Sequence, residues 1–293
     1  MLICPDCRNG VENLSCNNCS WCSPSSINSK ILNFLGKKDL NDSIFNSYLQ
    51  NYDQICSDDL SEKVLPQKYL RNQAKDLARC ITDVENKRIC DIGSGRGFLI
   101  EKLIEKGAAD ITAIAICDQY LNSLPLSVRC IKANAENLPF EQEFDIIIAT
   151  DILEHVLNVG SFLYCVNKAL KPEGVVYIRV PYNENLMYYS PHLKCPYPFV
   201  HLRSFNKSLL EKTLINSNLK PIKTYYNGFW VISPNNFWAQ NNHLENVYKK
   251  IINFLAQFEK SEEDITCWPS WFCKLFMRPY EITIKARKTA TGF

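Results

Sequence analysis

The stretch DIGSGRGF, residues 91–98, places glycines at 93, 95 and 97 directly after a short apolar run and before a helix-like one. A backbone without Cβ atoms lets a ligand approach closely, and several ligand classes use glycine in this way. A phosphate loop needs Lys followed by Ser or Thr after its last glycine, and GSGRGFLIEK lacks that pair at the required place. A dinucleotide loop needs its third glycine three residues beyond the second, where this chain has Phe98. What remains is GxGxG behind Asp91. A carboxylate there would repel a pyrophosphate but would accept hydrogen bonds from an ammonium group, so the expected ligand is cationic at that end.

A second constellation lies at the start. Cys4, Cys7, Cys16 and Cys19 form C-x2-C-x8-C-x2-C, two knuckles able to present four thiolates tetrahedrally to zinc. Four protein ligands leave no open position, so the expected zinc is structural. Cys22 makes a further C-x2-C with Cys19 and is the alternative ligand; Cys16 is preferred because it completes the paired knuckles. Cys90, Cys117, Cys130 and Cys165 sit in or beside apolar runs and read as buried free thiols.

These residues need a scaffold, and 293 residues with 46% apolar and 22% charged side chains can build a sizeable core. A formal charge of +2 gives no broad field for capturing nucleic acid or an anionic membrane. The start MLICPDCRNG lacks the basic stretch and apolar core of a secretory signal, and no apolar run of about 18 residues occurs. A cytoplasmic location is therefore expected. From residue 87 onward, KRICDIG, DITAIAI, RCIKA, FDIIIAT and GVVYIRV are short β-branched runs, most of them separated by helix-like stretches. That alternation predicts an α/β fold with a parallel sheet covered by helices on both faces. The expected organisation is a cysteine module over 1–36, a helical linker or cap over 37–86, and the main domain over 87–293. Residues 183–205, rich in proline and aromatics, read as a shaped loop. Residues 229–280, with Trp230, Trp238, Trp268 and Trp271, read as an aromatic helical insertion before a last strand, EITIKARK.

Four blocks in order, DIGSGRGFL, ANAENLPF, FDIIIATDILEHV and LKPEGVVYIRVP, make residues 87–225 resemble the class I S-adenosylmethionine-dependent methyltransferases. The resemblance implies a Rossmann-like, mostly parallel seven-stranded sheet. It implies that Asp91 holds the methionine amino group, that Gly93, Gly95 and Gly97 let the backbone approach the cofactor, and that Asn134 and Ala135 meet the adenine edge. Ile116 and Thr150 complete the implied cofactor-binding set. One departure stands out: members of this family usually end the second strand with an acid that accepts both ribose hydroxyls, and the corresponding residue here is Ala115. The expectation is that Asp118 substitutes, with water or a degenerate pocket as the alternatives.

The cysteine module, with LICPDC, LSCNNC and ILNFL, is similar to the small zinc-ribbon domains called Trm112-like. His155, just beyond the fourth strand of the methyltransferase pattern, is the candidate catalytic base, with a purely orienting role as the alternative. Tyr188, Tyr189, His192, His201 and Arg203 come from the irregular segment expected to overhang an acceptor pocket, or else cover the edge of the core. The expected function is methyl transfer to oxygen or nitrogen of a small or carrier-linked metabolite, a sugar or natural-product intermediate among the candidates. An RNA methyltransferase that captures RNA with the ribbon is the second reading. Arg8 and Lys30, balanced by Asp6 and Glu12, argue against it. A non-enzymatic partner with a degenerate pocket is the third. No membrane partner is expected, and a homodimer is left open.

Overall fold

Five runs of β-branched residues become strands because both their faces can be buried. In the computed structural model they are β2 (Arg88–Ile92), β3 (Asp110–Ala115), β4 (Arg129–Lys132), β5 (Phe144–Thr150) and β6 (Leu170–Pro181). Ile89, Ile92, Ile114, Ile147 and Ile148 are almost completely buried, as a sheet covered on both sides requires. The structure describes residues 1–63, 65, 67–190, 192, 195–231 and 277–289. Two further strands, β7 (Leu219–Val231) and β8 (Met277–Lys288), follow, and β1 (Ile31–Asn33) precedes them all.

The sheet has eight strands in the order β1-β4-β3-β2-β5-β6-β8-β7. This corrects the expected seven. The extra strand is β1, the end of the cysteine module, which pairs in parallel with β4 through Ile31 and Cys130, Leu32 and Ile131, and Asn33 and Lys132. The pairs β3/β4, β2/β3, β2/β5 and β5/β6 are also parallel. Parallel neighbours require crossovers, supplied by helices α4 (Phe98–Glu105), α5 (Asp118–Ser123) and α6 (Val159–Ala169). The Asn158 side chain caps α6 by accepting the Ser161 N–H at 3.0 Å.

The segment expected to be a helical linker holds α1 (Lys37–Asn41), α2 (Ser43–Leu60) and α3 (Gln67–Cys80). The Asp42 carboxylate starts α2 by accepting the Ile44 and Phe45 N–H groups at 2.8 and 3.0 Å. Phe45, Tyr48, Asn51 and Cys56 are its buried residues. A further helix, α7 (Lys207–Ile215), precedes β7.

The chain divides into two units, residues 1–225 with 282–293, and residues 226–281. In the second unit the described residues are 226–231 and 277–281, which lie in strand. The aromatic helical insertion expected over 229–280 is corrected at its ends, since Trp230 lies in β7 and residues 277–280 in β8; the rest of it, with Trp238, Trp268 and Trp271, lies outside the described residues. Among the described residues no helix is long and apolar enough to cross a membrane.

Candidate functional site

The glycine loop joins β2 to α4 with Gly93, Gly95 and Gly97 at φ 75, 49 and 78°, in the left-handed region. A Cβ on Gly97 would lie 2.3 Å from the Leu124 side chain, so a larger residue there must displace that side chain and strain a left-handed backbone. Gly95 differs: a Cβ there would meet nothing within 4 Å, and open space lies over its backbone. Asp91 at the end of β2 is 1% exposed, and its Oδ1 has no hydrogen-bond partner. Burial pushes its carboxyl up to about 7, while the Arg179 charge pulls it part of the way back. The buried Ser94 hydroxyl is likewise unpartnered. An unpaired acid and a hydroxyl at the foot of an open glycine loop suit a ligand that brings an ammonium group.

The residues expected at the ribose are placed as follows. Ala115 is buried at the end of β3, but Asp118 opens α5 with 53% of its side chain exposed, its carboxylate 2.7 Å from Lys132 Nζ. It pairs with the neighbouring strand's end. Asn134 is also engaged: its Oδ1 accepts the Glu136 N–H at 2.9 Å, and its Nδ2 donates to Asp39 Oδ1 at 2.9 Å. Ala135 follows in a single 3-10 turn, Ala135–Asn137, and Thr150 ends β5 half-buried. Ile116 packs against Leu35, Phe45 and Tyr48.

Helix α2 is the element that the sequence pattern did not place. It crosses the carboxyl ends of the strands, where ligands of open α/β sheets bind. Asp59, near its end, forms an ion pair with the buried Arg96 of the glycine loop at 3.0 Å and accepts the Tyr120 hydroxyl at 2.9 Å. Tyr52 meets the His155 ring edge-on at 5.8 Å, and Tyr48 meets Phe199 at 5.8 Å. The only local signal was an arginine inside the glycine loop, whose partner lies 37 residues earlier.

The turn after β5 brings Glu154 and His155 together with His201 from the irregular segment. Glu154 is 1% exposed, and both its carboxylate oxygens lack a hydrogen-bond partner. His155 Nε2 lies 4.0 Å from Glu154 Oε1, and burial together with the His201 charge pushes its imidazole down to about 3. The two imidazole rings lie 4.6 Å apart at 87°. His201 Nδ1 pairs with Glu184, whose other oxygen accepts the Tyr189 hydroxyl at 2.5 Å. Three other expected acceptor contacts are placed differently. Tyr188 is 70% exposed and His192 is exposed. Arg203 donates to the carbonyls of Leu153, Val156 and Leu157, so it fastens the loop to the turn that carries Glu154 and His155.

The four cysteines converge as expected. Cys4 and Cys19 Sγ lie 3.4 Å apart, Cys7 and Cys16 Sγ 3.5 Å, and all four within 4.8 Å of one another. Tetrahedral zinc with bonds of about 2.3 Å separates its sulfurs by about 3.8 Å, so the quartet suits that ion. Cys22 is exposed and outside the cluster.

The strand order, the glycine loop at the end of β2 and the helical crossovers define a Rossmann-like methyltransferase fold. Residues 90–178 match the family described as a methyltransferase domain. A ubiquinone biosynthesis O-methyltransferase of Hydrogenovibrio crunogenus is 32% identical over 102 residues, 32% of this chain and 42% of that protein. The chain thus spans less than half the length of this curated relative. Among solved structures, a chain of the Haloferax volcanii complex containing the Trm112 methyltransferase activator superposes with TM-score 0.58 at 11% identity, covering 84% of this chain and 99% of that one. The Burkholderia thailandensis 1,6-didemethyltoxoflavin-N1-methyltransferase, with its substrate and S-adenosylhomocysteine bound, gives 0.53 at 15% identity, covering 85% and 91%.

Proposed function

We propose that this chain is an S-adenosylmethionine-dependent methyltransferase acting on oxygen or nitrogen of a small or carrier-linked metabolite, with a structural zinc ribbon of Trm112 type at its start. The unpartnered Asp91 carboxyl beneath the open backbone of Gly95 carries this reading. Bound S-adenosylmethionine supplies an already activated methyl group, so the protein's task is to align the acceptor and exclude water. Asp91 holds the amino group, Ser94 and the loop backbone surround the amino-acid end, and Ile116 lies beside the adenine. Helix α2 closes the site from above, while His155 and His201 face the acceptor. The name of the curated relative supports an oxygen acceptor.

Two measurements test this. Calorimetry should detect S-adenosylhomocysteine, and labelled S-adenosylmethionine should methylate members of a panel of hydroxylated aromatic acids and sugars. Absence of any cofactor binding would sink the reading. Gly95→Val should abolish binding, since the new side chain fills the ligand's space and the left-handed backbone adds roughly 1–2 kcal/mol of strain. Normal binding by that variant would show that the loop has been misassigned. Asp118→Ala should leave affinity within about 0.5 kcal/mol, the scatter of surface changes. A larger loss would return the ribose role to Asp118.

A further inference from the structure

We propose that Glu154, His155 and His201 bind one divalent cation of the manganese, iron or zinc type, with Glu184 orienting His201. One ligand atom from each of the three residues lies within 4.8 Å of those of the others. Two imidazoles and one carboxylate make a donor set that suits first-row divalent metals and leaves coordination positions open.

The independent observation is Glu154. Its carboxylate is 1% exposed, and neither oxygen has a hydrogen-bond partner. Buried polar groups are satisfied in nearly all proteins, so this carboxylate is missing a partner, and two imidazoles offer ligand atoms within 4.8 Å of it. A cation between the three would satisfy it. The second observation is the arrangement behind His201. Its Nδ1 is paired with Glu184, which leaves Nε2 for another partner, and Glu184 is itself held by the Tyr189 hydroxyl. A ligating histidine is commonly oriented by a carboxylate in this way.

The two halves of the cluster come from separate segments tied together on either side. The Leu202 N–H donates to the Glu154 carbonyl at 2.8 Å, and Arg203 bonds the carbonyls of Leu153, Val156 and Leu157. This bracing sets the distance between His201 and the pair Glu154 and His155. The open positions suit an acceptor presenting a hydroxyl beside a second oxygen. That choice of acceptor rests on the proposed transferase reading, while the metal site itself does not. In this arrangement His155 is a ligand, not the base expected from the sequence.

Manganese(II) should be titrated into chain shown by metal analysis to hold one zinc, that of the four cysteines, with and without S-adenosylhomocysteine, and followed by electron paramagnetic resonance. One ion per chain is expected beyond the four-cysteine site. Glu154→Gln and His201→Gln should each weaken binding at least about tenfold. Glu184→Gln, which touches no ion, should weaken it about 10- to 100-fold through His201. Circular dichroism confirms that each variant is folded, and if Glu154→Gln is not, the two loop variants decide. Absence of manganese binding, or wild-type binding in the folded variants, overturns the site. Calorimetry on the same samples separates the two readings. S-adenosylhomocysteine bound without manganese overturns the metal site and leaves the transferase, whereas manganese bound without S-adenosylhomocysteine supports the site and removes the transferase.

Discussion

Affinity for S-adenosylhomocysteine should rise by up to about tenfold per pH unit from pH 5 to about pH 7, then level off, and Asp91→Asn should bind weakly with no such rise. Asp91 has its carboxyl held near 7 by burial, so below that pH it is protonated in the free protein. The ligand's ammonium group requires the ionised form, and binding must expel the proton. The same group gives a second readout in the free protein. Its folded pKa lies above its ordinary value of 3.8, so its contribution to stability is fully present below about pH 4 and is lost as pH rises through 7. Above pH 7 the buried charge costs up to roughly 4 kcal/mol, from 1.36 kcal/mol per unit. Asp91→Asn should therefore raise the melting temperature of the ligand-free protein at pH 8 and change it little at pH 4. A pH-independent affinity in the wild type would show that Asp91 does not meet the ammonium.

The sheet was legible in the sequence because strands buried on both faces are written as unbroken apolar runs, as in FDIIIAT, and because the glycine loop marks where β2 turns into α4. The cysteine quartet was legible from spacing alone. The missed features depend on contacts remote in sequence. Nothing in ILNF distinguishes the end of a ribbon from a strand, and β1 becomes one only because β4 offers it a free edge. Asp118 was expected to serve the ribose because it lies three residues beyond Ala115; its pairing with Lys132, from the neighbouring strand, is a contact that the local pattern does not announce. Arg203 looked like an acceptor clamp. Its guanidinium is committed to three backbone carbonyls, which no local pattern announces. Helix α2 falls inside the helical segment expected over 37–86, but the sequence could not say which surface it covers.

Removing zinc should disturb the cofactor site as well as the ribbon, because the first knuckle is built into both. Asp6, inside CPDC, accepts the Lys37 N–H at 2.7 Å at the start of α1, and the Pro5 carbonyl accepts Asn137 Nδ2 at 3.0 Å. From α1, Asp39 accepts Asn134 Nδ2 at 2.9 Å and Asn137 Nδ2 at 3.3 Å, so the knuckle, the start of α1 and the turn after β4 form one connected unit. Structural zinc contributes about 10–16 kcal/mol to the folding of isolated zinc-finger peptides. Here the β1–β4 pairing and the Arg8 bonds to Asn137 and Leu138 retain part of the order without it. A net loss of roughly 3 kcal/mol corresponds to a fall in melting temperature of about 6–12 °C for a domain of this size. Chelation or Cys4→Ser should produce that fall together with loss of one zinc per chain by metal analysis, and Cys22→Ser should do neither. Loosening α1 releases the start of α2 above the strand ends, so S-adenosylhomocysteine affinity should drop roughly tenfold, or about 1.4 kcal/mol. If the zinc-free chain melts lower but binds the cofactor unchanged, the ribbon stabilises the fold without shaping the site. If neither changes, the four thiols hold no structural metal.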